Sequence, residues 1–322
     1  MFLDTRTLDT RTLARTAGAA VLAAVLTACG SSAMSGMDHG SGGAPSATAS
    51  AATTASAAAG HQGHQMPGSG TTGQAASPAP APAPAPAAEQ NGYRLDPATA
   101  ALTPGAPAEY RFSITGPDGK ALTAFGTDQT KRMHFYAIRS DLTGFQHLHP
   151  EMAPDGTWTA PLAALTAGAW RVYASFVPDS GPGRGTGLVL SRTVDVPGEG
   201  ADAEAALPAA TGSATVDGYT VTVEGAPAAG RAGGLKVTVS RDGRPVTDLQ
   251  PYLETYAHLT AFHAGDQAFA HLHPETKAEA GGTGGPTLPF HAELPTGGDW
   301  RLFLQFQTGG TLHTVGLTLR VG

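Results

Sequence analysis

Residues 133–151 read MHFYAIRSDLTGFQHLHPE, and residues 257–275 read AHLTAFHAGDQAFAHLHPE. His134, His147 and His149 therefore recur as His258, His271 and His273, each 124 residues later. The turn pair Asp118-Gly119 recurs as Asp242-Gly243 at the same offset, and Phe125 recurs as Leu249. Trp170-Arg171 recurs as Trp300-Arg301 at an offset of 130, which places a six-residue insertion before the tryptophan strand of the second copy. Self-similarity at a period above 100 residues means a duplicated domain, not a solenoid of short units.

Working outward, the runs from Tyr93 onward are short, rich in β-formers and punctuated by Gly and Pro, with no apolar stretch at helical spacing. Strands are predicted at 109–115, 133–140, 170–177 and 187–196, then at 214–223, 235–240, 255–264, 300–307 and 312–321. Short strands separated by turn signals predict an all-β chain of two β-sandwiches in tandem, over 93–198 and 213–322, with a linker at 199–212. Residues 29–92 are Ala, Gly, Ser, Thr and Pro without hydrophobic periodicity, which predicts a disordered tether. Its alternating Ala-Pro part, 78–87, predicts a stiff polyproline II rod of about 30 Å.

The N-terminus carries Arg6, Arg11 and Arg15 and then an uncharged stretch from Thr16 to Ala28, the charged start and apolar middle of a signal peptide over 1–28. That stretch is shorter than the roughly 20 residues a transmembrane helix needs. It ends in Leu26-Thr27-Ala28-Cys29-Gly30, which resembles the bacterial lipobox. The resemblance implies cleavage before Cys29, lipidation of its thiol and an extracytoplasmic chain held at the membrane. Cys29 is the only cysteine, so an acylated chain has no thiolate for a metal or a disulfide. A formal net charge of −7 without a basic run argues against a nucleic-acid partner.

In an extended strand, residues two apart face the same way, so His147 and His149 point together, as do His271 and His273. If the strand holding His134 pairs with this segment through the turn at 141–144, three imidazoles converge, and His258 joins its own pair likewise. Three histidines without a thiolate suit Cu(II), at the head of the affinity order for divalent ions, or Zn(II) with an open position. Met133 should face the opposite way, into the core. The competing reading is structural: the imidazoles close a strand by hydrogen bonds to backbone. In the tether, Met37-Asp38-His39 and His61-Gln62-Gly63-His64-Gln65-Met66 have no core to fill, and thioether with imidazole is a donor set that copper accepts in either oxidation state. Auxiliary metal capture is thus expected of Met37, His39, His61, His64 and Met66. Asp141, Glu151 and Glu275 read as solvated turn residues and His263, His291 and His313 as surface or edge positions, with Trp170 and Trp300 as core anchors and Arg171 and Arg301 facing outward. No nucleophile elbow, P-loop or dinucleotide fingerprint occurs in the folded part, so a non-enzymatic role is expected.

Met133-His134, Asp141-Leu142, Phe145 and His147 to Pro150, followed by Trp170-Arg171, resemble small immunoglobulin-like domains of the YtkA-like and CopC-like kind, found near copper-handling and oxidase-assembly proteins of the bacterial envelope. That resemblance covers about 70 residues per copy and implies an immunoglobulin-like sandwich with copper as its cofactor. The second copy departs from the pattern at Ala257 and Gly265. The Ala, Gly and Pro excess is similar to that of actinobacterial proteins, which implies anchoring on the outer face of the cytoplasmic membrane. The expectation is a scavenger, buffer or donor of copper, with zinc as the second choice; the alternative is an envelope protein-interaction or wall-binding module, its partner an envelope protein.

Overall fold

A computed structural model describes residues 85–99, 101–279 and 281–322, the side chain of His273 excepted. The signal peptide, Cys29 and the tether residues Met37, His39, His61, His64 and Met66 lie outside the described residues.

Among the described residues every regular element is a β-strand. The first copy holds β1 (Glu89–Gln90), β2 (Tyr93–Pro97), β3 (Ala108–Thr115), β4 (Phe125–Gly126), β5 (His134–Arg139), β6 (Gln146–Leu148), β7 (Glu151–Met152), β8 (Trp158–Leu162), β9 (Gly168–Pro178) and β10 (Leu188–Val196). The second holds β11 (Ser213–Val216), β12 (Tyr219–Glu224), β13 (Ala232–Arg241), β14 (Arg244–Pro245), β15 (Ala257–His263), β16 (Phe269–Pro274), β17 (Thr287–Glu293), β18 (Gly298–Thr308) and β19 (Thr311–Val321). Each copy is an immunoglobulin-like β-sandwich. In the first, the sheet β1-β2-β3-β8-β7 faces the sheet β10-β9-β5-β6, to which β4 adds beside β9. β3 displays the two-residue period that builds such a layer: Tyr110, Phe112 and Ile114 are buried between the sheets, while Glu109 and Arg111 point away.

The histidine segment is where the chain passes from one sheet to the other. In the second copy Phe269–Leu272 of β16 pairs with β15, then His273 and Pro274 pair with β17, so one strand belongs to both layers. In the first copy the same path is cut at His149-Pro150: β6 pairs with β5, and β7 pairs with β8. Proline brings no N–H to a ladder and thus suits the residue at which pairing changes partner.

The described residues belong to one compact unit. Each sandwich has its own core, around Trp158 and Trp170 in the first copy and around Phe290 and Trp300 in the second. A third buried cluster lies between them, made of Tyr136, Ile138, Leu142 and Tyr173 against Phe262 and Phe303. Phe145 stacks on Phe303 with ring centroids 4.2 Å apart. Consequently every residue of β5 is buried: Phe135 and Ala137 face the sandwich core, and Tyr136 and Ile138 face the second copy.

Several expectations change here. The strand read at 214–223 is a hairpin, β11 and β12, because Asp217 and Gly218 both take positive φ and close a tight turn. Arg171 does not face solvent but donates to Gln267 Oε1 of the second copy at 3.1 Å. β2, β8 and β17 were not legible as strands; Pro161 and Pro289 interrupt two of them, each lying beyond the stretch paired on its second side. Met133 is buried in the first core, and Trp170 and Trp300 are core anchors, each indole N–H donating to the carbonyl four residues earlier, of Thr166 and Thr296, at 2.9 Å.

The turn joining β5 to β6 is sealed by Gly144, whose φ of 68° and packing leave no room for a side chain: a Cβ there would enter the Trp170 ring. Gly144→Ala is expected to cost about 2–4 kcal/mol, combining overpacking with the left-handed backbone, read as a fall in the urea midpoint; an unchanged midpoint would show that the turn does not rest on Trp170.

Candidate metal centre

β5 and β6 pair as the sequence led one to expect, with Tyr136 opposite His147 and Phe135 opposite Leu148. His134 lies on the face of β5 that carries Tyr136, and the crossover at Pro150 returns His149 to the same neighbourhood. One donor atom each from His134, His147 and His149 falls within 4.8 Å of the other two. The His147 ring lies on Tyr136 at a centroid distance of 4.4 Å and an interplanar angle of 15°.

The hydrogen bonds decide the protonation of the rings. His134 Nε2–H donates to the carbonyl of Asp128 at 3.0 Å, and a carbonyl cannot donate in return, so Nδ1 carries the lone pair. His147 Nδ1–H donates to Gln305 Oε1 at 2.7 Å, which leaves the lone pair on Nε2. These two bare nitrogens, His134 Nδ1 and His147 Nε2, face one another at 3.1 Å. Two acceptors at that distance repel unless a cation lies between them or a ring takes an extra proton. His149 Nε2 is buried and makes no hydrogen bond among the described residues. Donors on a tetrahedral ion with bonds of about 2.0–2.1 Å sit about 3.3 Å apart, so the first two are in place and the third needs a shift on the order of 1 Å. The three residues fit a metal ion.

Extra protonation is opposed by the surroundings. Burial lowers the His134 imidazole from its ordinary value, against the pull of the Asp128 carbonyl. Burial, with His149 beside it, holds His147 well below the usual range. Burial and the proximity of His134, Lys131 and His258 push His149 down to about 3. All three rings are therefore neutral at pH 7, the form that ligates.

The carbonyl that orients His134 comes from a strained turn. Asp128 N–H donates to Lys131 O and Lys131 N–H donates to Asp128 O, around Gln129 at φ 45° and Thr130 at φ 69°. This two-residue turn normally demands Gly or Asn, and a β-branched residue in it is an outlier. The second copy repeats it: Leu253 and Glu254 sit at φ 52° and 66°, and the Tyr252 carbonyl accepts from His258 Nε2–H at 3.1 Å. His258 and His271 have ring centroids 6.2 Å apart, against 5.3 Å for His134 and His147, so the second pair is the wider one. The two groups share a seam, with His134 5.9 Å from His271 and His147 6.2 Å from His258.

Other residues take roles the sequence hid. Asp141 is not solvated; it pairs with Arg139 and accepts from Thr143 and from the Ala205 N–H. Burial raises its pKa, and those hydrogen bonds with Arg139 beside it more than offset that, leaving it below the ordinary carboxylate value. His263 is the counterpart of Arg139: Arg139 Nε donates to Ala167 O at 3.1 Å and pairs with Asp141, while His263 Nε2 donates to Gly297 O at 3.1 Å and pairs with Asp266. His313 lies on the edge strand β19 but is buried, and links Asp217 to the Thr308 hydroxyl at 2.7 and 2.9 Å. That hydroxyl is itself enclosed and bonded to Tyr219 OH, so the trio braces the sandwich. Glu151, Glu275 and His291 are exposed. Asp128, Tyr252 and Gln305 went unnoticed in the sequence, since two act through backbone carbonyls and the third from the other domain; an offset search for turns six residues before each first histidine finds the former.

A family model described as Domain of unknown function (DUF8832) matches residues 88–184 and 214–322, and the chain belongs to that family. No curated protein matches it. Among solved structures it is similar to FdeC, a broadly conserved Escherichia coli adhesin, at 12% identity and a TM-score of 0.22 over 73% of this chain and 65% of that one. It is also similar to an endo-fucoidan hydrolase of glycoside hydrolase family 107, at 10% identity, TM-score 0.21, over 74% of this chain and 30% of the other. The native alpha-2-macroglobulin of Escherichia coli matches at 15% identity and TM-score 0.23, over 74% and 14%. The chain spans less than two thirds of each of these, and none bears on a residue of the site.

Because the folded imidazoles hold protons less readily than unfolded ones, the unfolded chain binds more protons in acid. Stability contributed by His134, His147 and His149 is expected in full above about pH 6.5 and to fall as pH drops below it, towards the value near 3 of His149. Unfolding titrations between pH 7 and pH 4 test this; a flat profile contradicts the burial of neutral rings. Thr130→Gly is expected to stabilise the metal-free fold by about 1 kcal/mol, as relief of left-handed strain outweighs the added backbone freedom, read from the same titrations at pH 7.

Proposed function

We propose that this DUF8832 protein is a non-enzymatic, lipid-anchored metal-binding protein of the cell envelope, with copper as its ion and zinc as the second choice. One observation carries the reading: His134 Nδ1 and His147 Nε2 face each other at 3.1 Å while the outer N–H of each ring is already committed. Ligating histidines commonly donate their other N–H to a carbonyl or carboxylate, which fixes the tautomer and raises the basicity of the donor nitrogen. His134, His147 and His149 would hold the ion, with His258, His271 and His273 as the second, wider group. Copper is favoured because Cu(II) heads the affinity order and because the tether pairs thioether with imidazole. The motif's resemblance to YtkA-like and CopC-like domains points the same way.

In this reading the Cys29 lipid keeps the chain on the outer face of the cytoplasmic membrane, Met37, His39, His61, His64 and Met66 collect ions, and the folded cluster retains them for an envelope partner. A cleft of about 360 Å³ lies between the two strained turns, lined by Asp128, Glu254 and Thr255.

Titration of the mature chain with Cu(II) and with Zn(II) is expected to give stoichiometric binding, tighter for Cu(II). His147→Ala and His149→Ala should each weaken it by more than the 10–100-fold that loss of an outer partner costs. Absence of stoichiometric binding, or binding indifferent to both substitutions, would sink the proposal in favour of an interaction module. A chain lacking residues 30–84, which leaves β1 and its sheet intact, should keep this affinity and lose only additional weak sites.

A further inference from the structure

The hydrogen bond that sets the tautomer of His147 crosses from one domain to the other, 158 residues away in sequence. Gln305 lies on β18 opposite His258 and is 5% exposed. Its Nε2 donates to Thr314 Oγ1 at 3.3 Å, and its Oε1 accepts from His147 Nδ1–H at 2.7 Å. The residue equivalent to Gln305 is Ser175, opposite His134 in the same register. A serine side chain is shorter, and its hydroxyl both donates and accepts, so it dictates no tautomer to a neighbouring imidazole.

We infer that Gln305 is a positioning residue for the metal centre, so that the first copy's three histidines form a complete site only when the second copy is docked on them. This rests on the metal reading above. The consequence is a division of labour between the duplicated domains. The first supplies the donors, and the second supplies the acceptor that turns the His147 Nε2 lone pair toward His134. An ion held there also links the copies, because the atom that orients its ligand belongs to the other sandwich. Without Gln305 the His147 ring can adopt the opposite tautomer, in which a proton on Nε2 points at His134 Nδ1 and must be displaced before an ion binds.

The test uses the full mature chain and Cu(II) and Zn(II) as probes. Gln305→Leu keeps the volume and removes the acceptor; it should lower affinity 10–100-fold and raise the pH of half-occupancy. Gln305→Glu restores an acceptor at the same reach and should recover affinity and move half-occupancy back toward acid. If wild type binds and responds to His147→Ala while Gln305→Leu binds with unchanged affinity and pH profile, this inference is overturned and the metal reading stands. If wild type binds nothing, the metal reading itself has failed. A second readout needs no substitution: nitrogen NMR of the metal-free chain should show His147 as the Nδ1–H tautomer, and the Nε2–H tautomer would overturn the inference even if a variant at position 305 failed to fold.

Discussion

The covering of the inner sheets on both faces governs the rest of the molecule. An immunoglobulin-like sandwich buries one face of each sheet and leaves the other to water, but here the outer faces of β5 and β9 meet those of β15 and β18 across a layer of aromatic rings, among them Tyr136, Tyr173, Phe262 and Phe303. A side chain on that layer has no water to fall back on, and an unpaired polar atom there costs on the order of 1–3 kcal/mol. His134, His258 and Gln305 all lie there, each buried. Hence each makes directional bonds, His134 and His258 to carbonyls and Gln305 to Thr314 and His147. What reads as a metal-binding motif is also the solution to a burial problem, and the unsolved remainder is the pair of bare nitrogens.

The strained turns gain sense in the same frame. Gln129-Thr130 and Leu253-Glu254 adopt a backbone that glycine would take at no cost, and both copies do so with bulky residues. Such strain persists where the surroundings over-determine it. The turns hold the carbonyls of Asp128 and Tyr252 against the two buried imidazoles, and they flank a cleft lined by both copies. A relaxed loop could satisfy its own backbone while letting the carbonyl drift, and the imidazole would then lose the bond that orients it.

Duplication kept the frame and varied the pieces. Arg139 with Asp141 and His263 with Asp266 clamp corresponding turns to corresponding carbonyls using different chemistry. Gly265 replaces Asp141 at the fixed offset, yet Asp266, one residue on, receives the N–H of Ala268 just as Asp141 receives that of Thr143. The departure from the motif in the second copy is therefore a shift of one position, whereas the difference that matters for the site lies at Ser175 and Gln305, where no motif drew attention.

The amino-acid sequence by itself determined the duplication, the all-β class, the inward turn of Met133 and the convergence of His134 with His147 and His149, because these follow from local periodicity and from a short turn that sets two strands side by side. It concealed β8 and β17, where Pro161 and Pro289 read as breaks, since their places just beyond the stretch paired on the second side exist only in three dimensions. Tertiary structure alone decided that the two copies press their outer faces together, that Arg171 bonds to the second copy while His313 is buried, and that Gln305 sets the tautomer of His147. The physical reason is one of range. Strand period and turn chemistry act over a few residues, whereas the tautomer of a buried ring is set by whichever acceptor packing brings to it, here from 158 residues away.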